Sequence, residues 1–160
     1  MTRLLARSAL GLLLALSAAG AAGALRADLV KWRARTEGEA EAKKSGKPVL
    51  YFFTADWCAP CHLMKEEVFA DRKVASGIDR RYIPVALEDR RRETGKNSPG
   101  MDDLAKRFGV EGFPTLVVAR PGTGKGVRLT GWVGRTKTVA FLERAAERLF
   151  EAEKADTARR

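Results

Sequence analysis

The apolar run Val49-Leu50-Tyr51-Phe52-Phe53 leads almost directly into the chain's only two cysteines, in Trp57-Cys58-Ala59-Pro60-Cys61-His62. A continuous stretch of apolar, aromatic and β-branched residues is the pattern of a strand covered on both faces in the middle of a sheet. From Pro60 the sequence turns helical: proline fits a first helical turn, and Leu63, Met64, Glu66 and Glu67 carry the helix on. A buried strand thus hands a cysteine pair to a helix start. The spacing lets one helical turn bring both sulfurs within disulfide reach, so the pair can cycle between dithiol and disulfide without refolding.

Other chemistries use the same letters. Cys-x-x-Cys-His is also the attachment pattern of a c-type haem, with His62 as one axial ligand and Met64 or Met101 nominally available as the other. Haem attachment, however, requires no apolar strand ahead of the motif. A purely structural disulfide is a poor explanation, because so short a loop gains little chain-entropy stabilisation. Zinc on Cys58, Cys61 and His62 lacks a nearby fourth ligand, so no metal is expected.

The 160 residues have room for one domain with a respectable core. Arg3 and Arg7 followed by the small and apolar run Leu10 to Ala22 read as a signal peptide over residues 1–24, with cleavage after Ala22-Gly23-Ala24 or Ala19-Gly20-Ala21. The run is shorter than the roughly 20 residues that span a bilayer, and an uncleaved anchor is the alternative. A domain is expected over 25–152, with a frayed tail over 153–160. An exported chain with a single close cysteine pair is not stapled by disulfides, so its pair is expected to be functional. The net charge of +10 is spread among acidic residues rather than gathered into a stripe with aromatics, which argues against nucleic acid as a partner.

Several further elements can be read. Leu29-Val30 suggests a brief extended piece anchored by Trp32. Thr36-x-x-Glu39 has capping-box form, and Gly46 is placed to end that helix. Asp71 is expected to cap a helix over Arg72 to Gly77, and Tyr82 to Leu87 a second strand, with Pro84 near its start or on an edge. Glu88 to Gly100 reads as a polar loop; within it Arg90, Arg91 and Arg92 are a solvated run, with steering of an acidic partner as the sharper reading. A short helix from Met101 to Phe108, closed by Gly109, precedes strands at Thr115 to Ala119 and Val127 to Trp132, joined by hairpin-type turn residues. Thr136 or Thr138 is placed to cap a last amphipathic helix. Strands separated by helices imply a parallel core with an antiparallel edge, a mixed α/β sheet of about four strands flanked by helices.

At a helix N-terminus, free N–H groups and the helix dipole favour thiolate, and cysteines in such motifs have pKa values lowered from about 8.5 to roughly 3.5 to 7.5. Cys58 is therefore the expected nucleophile and Cys61 the shielded resolving cysteine. Trp57 forms an apolar lip, Pro60 rigidifies the turn, and His62 is an exposed neighbour or a modulator of the thiolates.

Asp56-Trp57-Cys58-Ala59-Pro60-Cys61 after such a strand, with Gly112-Phe113-Pro114-Thr115 downstream, resembles the thioredoxin superfamily. Gly46-Lys47-Pro48-Val49-Leu50 and Lys65-Glu66-Glu67-Val68-Phe69-Ala70-Asp71 are also similar to the C-terminal thioredoxin-like domain of the thiol:disulfide interchange protein DsbD and to similar exported proteins. The resemblance implies a thioredoxin fold, Pro114 as a cis-proline facing the dithiol, and Phe113 as the residue before it that touches substrate. It implies protein disulfides or dithiols as substrates, a membrane-bound electron donor, a periplasmic or otherwise exported location, a monomer and no cofactor. Thioredoxin's buried aspartate and lysine are replaced here by Phe52 and Ala86, which leaves Glu88 or Asp89 as candidate substitutes. A c-type haem electron carrier and a non-enzymatic thioredoxin-fold binding module are the alternatives.

Overall fold

The computed structural model describes residues 28–159; the expected export segment lies outside the described residues. The chain runs α1 (Arg35–Ser45), β1 (Val49–Ala55), α2 (Ala59–Met64) continuing as a wider π turn (Lys65–Phe69), and α3 (Arg72–Arg81). It continues through β2 (Ile83–Asp89), α4 (Arg91–Thr94), α5 (Met101–Arg107), β3 (Thr115–Ala119), β4 (Gly126–Thr130) and α6 (Arg135–Ala158). The sheet order is β2-β1-β3-β4. Every residue of β1 is buried, as its unbroken apolar run requires.

Alternation along β1 builds two apolar layers. Leu50 and Phe52, with Leu116 and Val118, face α2, α3 and α6 and pack with Met64, Phe69, Ile78 and Leu142. Val49, Tyr51 and Phe53 face the other way, toward Ala42 of α1 and Leu104 and Phe108 at α5. Trp32 closes the first layer as expected, 5.5 Å from Phe52 and 5.1 Å from Phe69, while its indole N–H donates to Asp28. The extended segment near it pairs at Arg33 rather than at Leu29-Val30: Arg33 N–H donates to the Pro84 carbonyl beside the edge strand β2.

The parallel core is narrower than expected. Only β1 and β2 are parallel; β3 runs antiparallel to β1, with Phe53 opposite Thr115. The reversal has a clear consequence, because β3 then starts level with the end of β1 and places Phe113-Pro114 at the cysteine end of the sheet.

Caps behave unevenly. Asp71 caps α3 through the N–H groups of Lys73 and Val74, and Gly46 ends α1 at φ 72°. The Thr36-x-x-Glu39 box does not form: α1 starts after Ala34, and the Glu39 carboxylate instead accepts from the buried Tyr51 hydroxyl at 3.0 Å. Neither Thr136 nor Thr138 caps α6, which starts after Gly134; Thr138 is buried and its hydroxyl donates back to the Gly134 carbonyl. Residues 153–158, expected to belong to a frayed tail, are helical. Helix α6 reaches Ala158 because Arg120 pairs with Glu153 and Lys125 with Asp156, fastening its last turns to the β3–β4 hairpin.

Helix α1 approaches the sheet closely at Gly38, where an added Cβ would lie 2.4 Å from Val85 Cγ2. Gly38→Ala is expected to destabilise the fold by about 1–3 kcal/mol. In urea titrations the double variant with Val85→Ala should lose less than the two single losses combined. Equal midpoints for wild type and Gly38→Ala would contradict this packing.

Candidate functional site

Cys58 is the N-cap of α2, and its N–H donates to the Ala55 carbonyl at the end of β1. Strand end and helix start are thus tied together by one bond at the reactive residue. The Cys61 N–H points at Cys58 Sγ at 3.2 Å, a donor from the first helical turn aimed at the sulfur. The two cysteines are joined as a disulfide, with a Cα separation of 5.2 Å. Exposure polarises the pair: Cys58 keeps 3% and Cys61 none. Pro60 occupies the first turn, where its missing N–H has no helical acceptor to serve.

Two loops meet over the pair. Trp57 is 43% exposed and touches Phe113 edge-on, with ring centroids 5.9 Å apart. Phe113 also packs against the cluster that contains both cysteines. The Phe113–Pro114 peptide is cis. Its loop is held on both sides: Thr115 Oγ1 donates to the Gly112 carbonyl at 2.7 Å, and Gly131 N–H donates to the Pro114 carbonyl at 2.7 Å. Pro114 itself is buried.

His62 is exposed, and its Nε2 lies 2.7 Å from the Asp56 carbonyl oxygen. A carbonyl only accepts, so Nε2 carries the proton. This arrangement is poor for a haem: the ring is turned onto the main chain, and Met64 and Met101 are buried in layers on opposite faces of the sheet.

Glu88 lies on the same side of the sheet as the dithiol helix. The register sets Phe52 beside Ala86 and, farther along the same face, Thr54 beside Glu88. No charged pair stands at the first position. At the second, the Thr54 hydroxyl is buried without a hydrogen-bond partner among the described residues, and Glu88 belongs to β2 rather than to a loop. A hydrogen bond with Asp56 raises the Glu88 carboxyl above its ordinary value, helped by burial and by the Asp56 charge. Asp89 instead faces away, accepting from Arg91 N–H and Asn97 Nδ2.

The sequence reading did not single out Arg92. Its guanidinium lies over the Trp57 ring, 3.7 Å from the centroid. The signal was the position of the arginine run, just past the strand end nearest the dithiol.

This fold and dithiol are those of a known class. The thioredoxin-like domain family matches residues 36–146, and the chain belongs to it. Thiol:disulfide interchange protein DsbD 1 of Pseudomonas aeruginosa is 29% identical over 111 residues, covering 68% of this chain and 18% of that protein. Protein disulfide-isomerase of Humicola insolens is 31% identical over 158 residues, covering 94% of this chain and 28% of that protein. The chain therefore spans less than a third of either relative. The oxidised C-terminal domain of DsbD from Neisseria meningitidis superposes with a TM-score of 0.54 at 25% identity, over 69% of this chain and 90% of that one.

The Asp56–Glu88 pair gives a signed pH dependence. A carboxyl raised in the folded state holds its proton better there, so it opposes folding progressively as pH rises from the ordinary carboxylate value through the raised one. Glu88→Gln removes that opposition. Relative to wild type, the variant should gain stability as pH rises above the ordinary carboxylate value of about 4.3 in denaturant titrations; a difference that does not change with pH would contradict the raised Glu88 carboxyl.

Proposed function

We propose that this chain is an exported thiol-disulfide oxidoreductase that reduces protein disulfides, or relays electrons to them, through Cys58 and Cys61. The observation that carries the reading is the polarised pair: a marginally exposed sulfur at a helix start, with a main-chain N–H aimed at it and a buried partner joined to it. Membership of the thioredoxin-like family and similarity to thiol:disulfide interchange proteins and disulfide-isomerases support the same activity.

In the reducing direction the dithiol form acts. The Cys58 thiolate attacks one sulfur of the substrate disulfide, forming a mixed disulfide and expelling the other substrate sulfur as thiolate, which takes up a proton. Cys61 then loses its proton and attacks Cys58 Sγ, expelling the second substrate thiolate and closing the Cys58–Cys61 disulfide. The substrate gains two electrons and two protons, and a dithiol donor must restore the pair. The N–H of Cys61 stabilises negative charge on Cys58 Sγ both as attacking and as leaving group.

The site residues take roles consistent with their places. Trp57 and Phe113 form the apolar rim on which the substrate chain rests. Pro114 brings a loop edge without an N–H against it, and Pro60 stiffens the first turn. His62 holds the Asp56 carbonyl and so the approach to Cys58, while Glu88 influences proton exchange from beside Thr54. The domain works as a monomer on protein disulfides or dithiols, needs no cofactor and takes electrons from a membrane-bound donor. Among the described residues no helix is long and apolar enough to cross a membrane. Residues 1–24, as signal peptide or uncleaved anchor, bring the domain to a periplasm-like compartment.

Cys61→Ala should accumulate substrates as mixed disulfides on Cys58, visible as reducible adducts by mass spectrometry. Cys58→Ser should form none and should exchange no disulfide. Adducts that persist in Cys58→Ser would reverse the assignment.

Direction is tested by equilibrating the purified domain in glutathione buffers. A reductant or relay should have a potential more negative than about −200 mV; a value near about −120 mV, that of a strong oxidant, would overturn the reducing direction.

A further inference from the structure

The segment between β2 and α5 is built rather than left as coil. Asp89 anchors it, accepting from Arg91 N–H at 3.2 Å and from Asn97 Nδ2 at 3.1 Å. Asn97 also accepts from Arg90 N–H at 2.8 Å and donates to Asp102 at 2.7 Å. Thr94 Oγ1, 3.0 Å from the Arg90 carbonyl and 2.9 Å from that of Lys96, closes the short helix α4. These bonds fix the directions in which three consecutive arginines leave the backbone.

The three arginines have different fates. Arg91 is neutralised by Asp102, with Nη2 at 2.8 Å from the carboxylate. Arg90 lies near enough to Glu88 to oppose the rise of its pKa. Arg92 has no carboxylate partner among the described residues and lies on Trp57, the lip beside Cys58. Stacking engages the π face of a guanidinium and leaves its in-plane N–H fork unused, so the ring orients the donors without occupying them. A groove of about 380 Å³, lined by Asp89, Arg91, Asn97 and Asp102 on one side and Gly112 and Phe113 on the other, joins this segment to the cis-proline loop.

We propose that Arg92 is a specificity residue: its guanidinium, held on Trp57, binds a carboxylate next to the reacting cysteine, so the preferred substrates are protein disulfides flanked by Asp or Glu. The inference rests on the disulfide-exchange reading above. A substrate chain resting on Trp57 and Phe113 passes beside the Arg92 fork, and planar carboxylates match that fork in geometry and sign. Outside residues 1–24, which carry Arg3 and Arg7, the chain keeps a net charge of +8, which draws acidic chains toward the domain generally; Arg92 makes the attraction local to the dithiol.

The test uses the purified chain and disulfide-linked peptides identical except for Asp, Asn or Lys beside the cysteine, with kcat/KM measured under a common reductant. Wild type should favour Asp over Asn by about fivefold at low salt, the size of a favourable exposed ion pair. The preference should shrink at about 1 M salt, where charges are screened beyond about 3 Å. Arg92→Gln should bring the Asp-to-Asn ratio close to one, and Arg92→Lys should keep part of it. An unchanged ratio in Arg92→Gln overturns the proposal, as does equal slowing of all three peptides, which would make Arg92 only a support for Trp57. Wild type turning over none of the peptides overturns the exchange reading itself, and this inference with it.

Discussion

Burial of β1 on both faces is the constraint from which the rest follows. With β2 on one side and β3 on the other, its main chain is paired along both edges, and its side chains belong to two separate apolar layers. Such a strand has little freedom to shift, because a slip of one residue would exchange the contents of the two layers. Cys58 hangs from its last residue by one main-chain bond. The position of the reactive sulfur is therefore set by the core.

The site's second half depends on the direction of β3. Phe113-Pro114 lies at the cysteine end of the sheet because β3 begins where β1 ends, which requires antiparallel pairing. The β3–β4 hairpin then reaches back to fix this loop, through the bond from Gly131 to the Pro114 carbonyl. Trp57 and Phe113, far apart in sequence, meet as a consequence of two strand registers. Edge contacts of this kind contribute about 0.5–1.5 kcal/mol, a modest energy but one placed beside the dithiol.

What could be read from the sequence divides along physical lines. β1, the dithiol at a helix start and the glycine at the end of α1 declared themselves, because continuous apolarity, cysteine spacing and left-handed turns are local properties. Asp71 was legible for the same reason, its carboxylate reaching only N–H groups nearby in sequence. The missed caps show the opposite case: Glu39 satisfies a capping pattern, yet a buried tyrosine hydroxyl on β1 holds its carboxylate. Strand direction was also hidden, since an apolar strand reads the same either way. Arg92 was visible as charge, but its ring partner depends on the hydrogen-bonded segment around Asn97, in which no residue is distinctive alone.

The replacement of a charged pair by Phe52 and Ala86 moves the polar part of the site outward. With those side chains adjacent on β1 and β2, the core below the dithiol is apolar, and the next residues on that face are Thr54 and Glu88. Thr54 presents a buried hydroxyl without a partner among the described residues, while Glu88 shares its hydrogen bond with the exposed Asp56. Under the proposed function, proton exchange with Cys61 then runs along the rim rather than through the core. Next to Asp56 in sequence, Trp57 carries Arg92 on its ring. The same rim therefore carries acid at the strand edge and base on the aromatic lip, so it can separate handling of protons from recognition of substrate charge. A buried relay would leave the rim's charge free of that division; under the proposed function the two tasks share the surface and must be kept apart by position.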